Sequence, residues 1–359
     1  MSDFAQHIVH WHKAHGRHDL PWQNTRDPYR IWLSEIMLQQ TQVTAAIPYY
    51  QRFLQRFPHI PSVAAAPIDD VLALWSGLGY YARARNLHAA AQAVMTRHGG
   101  VFPRAVEEIA ALPGIGRSTA AAIGAFAYGT RGAILDGNVK RVLARCYGIV
   151  GYPGAPAVQN RLWALAESLL PDTDIEVYTQ ALMDLGATLC TRSKPRCGDC
   201  PLHKTCVAHA TQRTHELPTA KPKAVKPQRE VVVLILQQGA DILLEKRPTN
   251  GIWGGLWSFP EIEPTAILET QLAERFGVRA KRVCPWGPLA HSFTHYHLKV
   301  LPLWVDVTPV DTVHPGQVWL TLQAARGAAI PTPVRKLLDR LSSEPYANTQ
   351  ALALLAAHD

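Results

Sequence analysis

Hydrophobic and polar positions follow different periods in the two halves of the chain. Up to about residue 190, apolar residues recur at helical spacing, and the alternation typical of strands is absent. The pattern then changes and predicts two strands joined around Gly239, one helix and one alternating strand, at 231–236, 241–244, 266–276 and 293–300. The sequence therefore predicts an all-α domain followed by an α/β domain.

A proline-rich and basic stretch separates the two patterns. Pro218, Pro222 and Pro227 lie among Lys and Thr residues, which is linker composition. We expect a helical domain, a linker, an α/β domain and a C-terminal tail, at residues 1–210, 211–228, 229–345 and 346–359. With 359 residues, the chain is long enough for both domains to bury a core.

One predicted helix, residues 29–43, carries an acidic residue among apolar ones. A carboxylate is costly to bury unless it is paired or holds its proton, so Glu35 is a candidate general acid with a raised pKa. The alternative is a surface Glu on the polar face of the helix. Leu20 and Trp22 precede it and would either line a pocket or fill the core. Residues 39–42 follow, with amide and hydroxyl groups able to replace base-pair hydrogen bonds.

A glycine-rich turn lies at residues 112–119. Pro113, Gly114 and Gly116 break one helix, and Ser118 and Thr119 open the next. Unpaired backbone N–H groups at such a helix start suit a phosphate oxygen, although an ordinary helix–helix turn has the same composition.

A second acidic residue begins the helix that follows this turn. Asp136 could be an N-cap that contributes about 1 kcal/mol. That explanation accounts less well for the neighbouring Gly137 and Asn138, or for the phosphate-binding turn about twenty residues upstream. Asp136 is therefore also a candidate functional carboxylate.

Basic residues and cysteines are concentrated in one part of the chain. The formal charge of +8 and the pI near 9.2 permit a polyanionic partner. Residues 192–229 contain nine Lys or Arg against Asp199 and Glu216. Four of the six cysteines, in a C-x6-C-x2-C-x5-C pattern, could hold zinc or a 4Fe-4S cluster: Cys190, Cys197, Cys200 and Cys206. The grouping fits a metal site in a reducing compartment better than disulfides.

Two other features have competing explanations. Five histidines between residues 7 and 18 lack the Cys or carboxylate set that would complete a metal site, so we expect a solvated helix face. After Gly77-Leu78-Gly79, Tyr80 and the nearby arginines would either wedge into a base stack and hold phosphates, or simply pack. No apolar run approaches membrane-spanning length and no secretory segment is evident, so we expect a soluble, cytoplasmic protein.

Several segments together resemble one family, the adenine DNA glycosylases of the MutY type in the endonuclease III superfamily. The segments fall in family order: 32–43, 77–81, the 112–118 turn, 134–139 and the four cysteines. The resemblance covers nearly the whole chain. It implies a helix-hairpin-helix fold with a 4Fe-4S cluster, and excision of adenine mispaired with 8-oxoguanine or guanine in double-stranded DNA.

The resemblance also implies roles for individual residues. Glu35 would protonate adenine at ring nitrogen 7, Asp136 would stabilise the oxocarbenium-like sugar, and Asn138 would support Asp136. Leu20 and Trp22 resemble residues around the flipped base. Three residues resemble those that fill or probe the space left in the base stack: Leu38, Gln40 and Tyr80. Three others resemble the DNA-binding residues of the hairpin: Gly114, Gly116 and Ser118.

The C-terminal domain resembles a Nudix hydrolase fold with a degraded catalytic box. Gln271 and Arg275 stand where metal-binding Glu residues would be, so a magnesium site lacks its oxygen ligands. We interpret the domain as a damage-recognition module. Phe293, Thr294 and His295 match the family segment, usually Phe-Ser-His, that approaches 8-oxoguanine; a strand Thr is the alternative.

Three other functions remain open. A bifunctional glycosylase with lyase activity would need an amine nucleophile, and Ser118 stands where that branch carries Lys. A non-enzymatic DNA-binding protein would not need Glu35 and Asp136. A Nudix hydrolase would cleave oxidised nucleotides with magnesium. We expect a monomer, and the sequence identifies no clamp or repair protein as a partner.

Overall fold

A computed structural model describes residues 2–222, 225–308 and 314–343. The predicted tail, 346–359, lies outside the described residues. The chain divides into two compact units, Met1–Ala66 with Asn86–Lys223, and Pro67–Arg85 with Ala224–Asp359. Residues 67–85 thus belong with the C-terminal half although they lie early in the sequence. No described helix is long and apolar enough to cross a membrane.

Up to residue 210 the described chain is helical, as predicted. The helices are α1 (Asp3–His15), α2 (Pro28–Leu38), α3 (Val43–Arg56), α4 (Ile60–Ala64), α5 (Ile68–Trp75), α6 (Ala82–Arg97), α7 (Val106–Ala110), α8 (Arg117–Tyr128), α9 (Gly137–Cys146), α10 (Pro156–Ser168), α11 (Ile175–Asp184) and α12 (Val207–Ala210). A π-helix, Leu185–Leu189, continues α11, and a 3₁₀ turn covers Cys197–Asp199.

The predicted helix over residues 29–43 is wrong at its C-terminal end. Asp27 caps α2 by accepting a hydrogen bond from the Tyr29 N–H at 2.9 Å, and Pro28 starts the helix. The helix stops at Leu38 because Gln40 adopts a left-handed φ of 57°. A new helix, α3, begins at Val43.

The core of the helical unit forms around α8, α9 and α11. Buried alanines on α8 let its neighbours approach closely, and α2 and α11 both pack against it. Helix α1 adds Ala5, Ile8 and Val9 to the same core. This packing places the helix that carries Glu35 against the helix that follows the glycine-rich turn.

The second unit contains a mixed sheet with helices on both faces, which confirms the predicted α/β domain. Its strands are β1 (Gln228–Gln238), β2 (Asp241–Lys246), β3 (Trp257–Ser258), β4 (Glu261–Ile262), β5 (Ala280–Pro285), β6 (Leu289–Ser292), β7 (His297–Val307) and β8 (Gln317–Thr321). Its C-terminal helices are α13 (Leu268–Gln271), which continues as a π-helix at Leu272–Phe276, α14 (Leu322–Gly327) and α15 (Thr332–Ser343). Strand β1 pairs in parallel with β7 and antiparallel with β2.

The continuous apolar run in β1 follows from burial on both faces. Val233 and Ile235 pack in the cluster that contains α14 and α15 residues, whereas Leu234 and Leu236 pack in the cluster that contains Leu272 and Phe276. Successive side chains of a strand point to opposite faces, so a strand covered on both sides is apolar at every position.

The predicted strand at 293–300 begins later than expected. Residues Phe293–Tyr296 form the turn between β6 and β7, where the Phe293 N–H donates to the Tyr296 carbonyl at 2.9 Å. Strand β7 starts at His297. Thr294 is therefore a turn residue, and its interpretation as a strand residue is wrong.

Candidate active site

A cavity of about 290 Å³ opens in the helical unit, with room for on the order of ten water molecules. Four residues singled out in the sequence line it together, namely Leu20, Trp22, Glu35 and Leu38. Leu20 and Trp22 are each 8% exposed, and the Trp22 ring meets Tyr50 edge-on at 5.3 Å. Apolar side chains such as Leu20 and Trp22 line the cavity together with polar ones and with a second carboxyl group, that of Glu176. The combination suits a flat heterocycle that brings its own polar atoms.

Glu35 is half-buried, and α2 presents it to the cavity. The pKa of Glu35 is raised to about 8. The larger cause is the loss of hydration on burial, and the negative charge of Asp136 adds to it. Among the described residues no cation or hydrogen-bond donor offsets these effects. Glu35 therefore holds a proton at neutral pH, as a general acid requires.

Asp136 is the N-cap of α9, where its Oδ1 accepts from the Val139 N–H at 2.8 Å. Burial raises the pKa of Asp136, and hydrogen bonds from Val139 and Asn138 and the charges of Arg141 and Lys140 offset this increase only in part. The capping role is real, and the negative charge of Asp136 also raises the pKa of Glu35.

The two carboxyl groups have different surroundings. Asp136 has backbone donors and cations that favour its ionised form, whereas Glu35 has neither. One proton shared by the pair therefore resides on Glu35. One protonated and one ionised carboxyl group is the arrangement that glycosidic cleavage uses.

Asn138 is the second residue of α9, and its side chain is held in place by its neighbours. Its Oδ1 accepts from Arg141 Nη2 at 2.8 Å, and the same Arg141 nitrogen donates to the Gly186 carbonyl at 2.8 Å. Arg141 Nε also donates to the Cys190 carbonyl at 2.7 Å. The helix that starts at Asp136 is thus tied to the π-helix and to the first cysteine.

A buried polar cluster forms part of the cavity wall and was missed in the sequence. Asp184 is fully buried and accepts hydrogen bonds from Arg17 N and Nε and from Gln180 Nε2, all at 2.8 Å. His12 Nε2 lies 3.2 Å from Asp184 Oδ2, the oxygen that also accepts from the Arg17 N–H. Burial alone would raise the pKa of Asp184, but the hydrogen bonds from His12 and Arg17 outweigh it and the pKa is lowered. Arg17, Gln180 and His12 all line the cavity.

The predicted solvated histidine face is wrong for His12, which is 5% exposed. A signal was present in the sequence. Ala5, Ile8, Val9 and His12 recur at helical spacing, so His12 lies on the buried stripe of α1. A polar residue on an apolar stripe needs a partner, and Asp184, 172 residues away in the chain, cannot be identified from local pattern.

The glycine-rich turn has the geometry of a phosphate-binding hairpin. Gly116 is the N-cap of α8 and offers no side-chain cap, so the first-turn N–H groups of the helix remain available. Gly114 has a φ of 78°, and a Cβ there would lie 2.6 Å from Asn86 Cβ. A Cβ on Gly116 would meet nothing within 4 Å, which leaves space for a ligand. Ser118 Oγ faces the other way and accepts from the Leu135 N–H at 2.9 Å.

The four predicted cysteine ligands line a single small cavity. A hydrogen bond from the buried Cys146 thiol lowers the pKa of Cys206 to about 6. Arg145 Nη1 donates to Cys190 Sγ at 3.4 Å. Burial instead raises the pKa of Cys197 and raises that of Cys200 to about 11, so the surroundings favour a thiolate at Cys206 but not at these two positions. Within the described ranges, no three His, Cys, Asp or Glu residues form a group able to hold a single metal ion.

Two predicted stack-probing residues have strained backbones. Gln40 in the helical unit and Tyr80 in the second unit have φ values of 57° and 51°. Both side chains are exposed, Tyr80 by 49%. Non-glycine residues held in this region are unfavourable and are often found at functional sites.

The predicted damage-recognition residues lie together at the β6–β7 turn. Thr294 and His295 are exposed, while the Phe293 ring stacks on Tyr296 at 4.6 Å and packs against Trp253 at 5.2 Å. In the degraded Nudix box, Arg275 pairs with Glu245 at 2.9 Å. At the position where a metal-binding Glu would stand, Arg275 of the π-helix therefore neutralises the Glu245 carboxylate of β2.

Comparisons with known proteins find matches for both halves of the chain. Residues 33–168 match the family model described as HhH-GPD superfamily base excision DNA repair protein, and residues 231–340 match the NUDIX domain. An adenine DNA glycosylase of Buchnera aphidicola subsp. Baizongia pistaciae is 38% identical, over 94% of this chain and 96% of that protein. The adenine DNA glycosylase of Homo sapiens is 34% identical, over 94% of this chain and 73% of that protein.

Solved structures show the same helical architecture. A thermostable thymine-DNA glycosylase is similar with a TM-score of 0.53 at 31% identity, covering 58% of this chain and 95% of that one. An endonuclease III in a non-covalent DNA complex has a TM-score of 0.50 at 18% identity, over 58% and 94% of the two chains, which is a likeness of fold.

Proposed function

The chain belongs to the adenine DNA glycosylases of base excision repair, and from this premise we propose that it excises adenine mispaired with 8-oxoguanine or guanine. The observation that supports the chemistry best is the unequal carboxyl pair. Glu35 lines a base-sized cavity and has a pKa of about 8, and Asp136, whose charge contributes to that pKa, has donors that favour its own ionised form.

In the proposed reaction, the adenine leaves the base stack and enters the cavity between the Leu20 and Trp22 side chains, at a cost of about a few kcal/mol of stacking. Glu35 gives its proton to ring nitrogen 7. The bond between the sugar C1′ and the base breaks, and its electron pair leaves with the neutral adenine. The Asp136 carboxylate stabilises the cationic sugar, and water then adds to C1′ and releases a proton that restores Glu35.

We propose that the enzyme is monofunctional and acts as a monomer, since one chain carries both carboxyl groups and the cavity. Lyase chemistry needs an amine at the hairpin, and the Ser118 hydroxyl accepts from the Leu135 N–H instead. The product is therefore an abasic site that stays uncut until alkali or heat is applied.

We assign catalysis to residues 1–210 and recognition of the base opposite adenine to residues 229–345. The Phe293–Tyr296 turn presents Thr294 and His295 to solvent on a packed aromatic base. Losing a specific contact to the lesion should weaken discrimination by about 1–3 kcal/mol.

An excision assay tests the function. Duplexes that carry adenine opposite 8-oxoguanine, guanine or thymine are incubated with the full-length protein, and alkali-labile abasic sites are measured. We expect release from the two mispairs and little from the A:T pair. Binding without base release would favour a DNA-binding protein, and strand cleavage before alkali would favour a bifunctional enzyme. Turnover of 8-oxo-dGTP with magnesium would favour a Nudix hydrolase.

The pH dependence follows from the raised pKa of Glu35. Glu35 is protonated below about pH 8 and loses its proton above it. The single-turnover rate of adenine release should therefore fall about tenfold per pH unit above pH 8. DNA affinity, measured over the same range, serves as the control. A rate that stays level to pH 10 would contradict the acid role.

The four cysteines form the second part of the proposal. Four thiol groups around one cavity are the donor set of a 4Fe-4S cluster, and Cys190, Cys197, Cys200 and Cys206 would hold it. When bound, the cluster would cross-link the basic segment that Arg141 and Arg145 tie to α9.

Protein prepared anaerobically should contain about four irons per chain and absorb visible light. Replacing one ligand, Cys197→Ser, should lower the iron content. Cys284→Ser is the matched control because Cys284 lies on β5 of the other unit, and this variant should keep its iron. Zinc in place of iron would refute the assignment.

A further inference from the structure

The exposed Tyr80 belongs to the same compact unit as the C-terminal domain. This placement is unexpected, because in sequence Tyr80 lies between helices of the catalytic half. Residues 67–85 are integrated into the C-terminal domain by hydrogen bonds and an ion pair. Asp69 pairs with Lys246 of β2 and accepts from Trp257 Nε1 at 3.3 Å.

The turn before Tyr80 is anchored at one carbonyl group. The Ser76 hydroxyl donates to the Ile330 carbonyl at 2.7 Å, and the Tyr81 hydroxyl donates to the same oxygen at 3.2 Å. Ile330 is fully buried, and Arg335 of α15 donates to the Ser76 hydroxyl at 3.0 Å. Ser76 and Tyr81 flank the turn, so both of its ends are attached to one point of the C-terminal domain.

The segment after Tyr80 is attached near the damage-recognition turn. Arg85 Nη1 donates to the Gly254 carbonyl at 2.7 Å. The preceding residue, Trp253, packs against Phe293 with ring centroids 5.2 Å apart. A continuous series of contacts therefore joins the Tyr80 segment to the turn that carries Thr294 and His295.

The turn itself keeps Tyr80 in an unfavourable conformation. Its φ is 51°, and its ring lies 5.6 Å from the guanidinium carbon of Arg83, which is 8% exposed. Arg83 also donates to the Gly79 carbonyl at 3.0 Å. Such a conformation persists only where surrounding contacts impose it. Ser76, Tyr81 and Arg85 supply such contacts, because each is hydrogen-bonded to the C-terminal domain.

We propose that Ser76, Tyr81 and Arg85 are positioning residues through which the C-terminal domain holds Tyr80 against DNA, so that Tyr80 and the Phe293–Tyr296 turn read the base opposite adenine as one unit. This inference rests on the proposed function. It assigns discrimination to a discontinuous unit, in which residues 67–85 contribute together with residues 229–345.

The test compares single-turnover adenine release opposite 8-oxoguanine and opposite guanine, with full-length protein. The double variant Ser76→Ala/Tyr81→Phe keeps the buried ring and removes both donors to Ile330. The substitutions also remove the acceptors of the Arg335 and Gly77 N–H donors, so that at least four hydrogen bonds are lost. We expect the rate ratio of the variant, 8-oxoguanine over guanine, to fall about three- to tenfold, a change equivalent to about one net hydrogen bond. Thr321→Ala is the control, because it removes the side-chain cap of α14 in the same unit, a hydrogen bond from the Ala324 N–H that does not involve the Tyr80 segment, and it should keep the native ratio.

A double-mutant cycle separates positioning from general loosening of the domain. In a Tyr80→Ala background, the same two substitutions should change the ratio by less than about twofold, because the residue they position has gone. A full additional loss in that background, or a native ratio in the Ser76→Ala/Tyr81→Phe variant, would overturn the inference. If the native protein released no adenine from either duplex, the proposed function would be overturned instead.

Discussion

Glu35→Gln should reduce adenine release by about 10²- to 10⁴-fold while DNA affinity remains. The amide keeps the shape of the side chain and its hydrogen-bonding capacity, but it cannot deliver a proton to the departing base. Single-turnover kinetics on the adenine–8-oxoguanine duplex would measure the loss. Glu107→Gln, an exposed position on α7, provides the control and should retain native rates.

The same substitution should stabilise the fold at alkaline pH. The folded state raises the pKa of Glu35 from 4.5 to about 8, so the native protein loses stability as pH rises through this interval. Gln does not ionise and avoids that loss. Chemical unfolding at pH 9 should show the variant more stable by up to a few kcal/mol, on the order expected for such a shift, and the advantage should disappear near pH 4. An inactive variant that is also less stable at pH 9 would point to misfolding instead of a lost acid.

Asp136→Asn should lower the rate of adenine release by about 10²- to 10³-fold, because it removes the negative charge that faces the cationic sugar. The fold should survive, since Asn caps helices as well as Asp does and can still accept from the Val139 N–H. Asp27→Asn at the start of α2 is the matched control, another N-cap acid whose neutralisation should leave the rate unchanged.

Neutralising Asp136 should also change the acid. Its charge is one of the two causes of the raised pKa of Glu35, so the remaining activity of Asp136→Asn should decline at a lower pH than native activity does. The pH–rate profile of the variant measures this displacement. A near-native rate, or an alkaline limb that does not move, would show that the two carboxyl groups are not a functional pair.

Sequence pattern is sufficient to single out both carboxyl positions, but it does not bring them together. Glu35 is noticeable because a charged residue among apolar neighbours is energetically anomalous, and Asp136 because it follows a turn suited to phosphate. Neither pattern shows that the two groups meet. A pKa near 8 depends on the walls of the cavity and on the opposing charge, and both come from residues distant in the chain.

Local pattern by itself predicted the fold class. Helical periods, strand periods and prolines are local properties, and the structure reproduces the all-α and α/β halves with β1 and β2 as predicted. The resemblance, supported by the identities to adenine DNA glycosylases, supplied the reaction. Local pattern failed at residues 39–42 and 293–296, where a left-handed residue and a hairpin turn interrupt sequences that read as continuous elements.

Only the tertiary structure decided which distant residues act together. The Asp184 cluster joins His12 and Arg17 to a helix more than 160 residues away, and the Tyr80 segment belongs with strands that begin about 150 residues later. Such pairs have no local signal, because burial and hydrogen bonding between distant segments are set by how the elements pack. The sequence therefore determined the chemistry that the side chains can perform, whereas the packing decided their ionisation and which residues hold them in position.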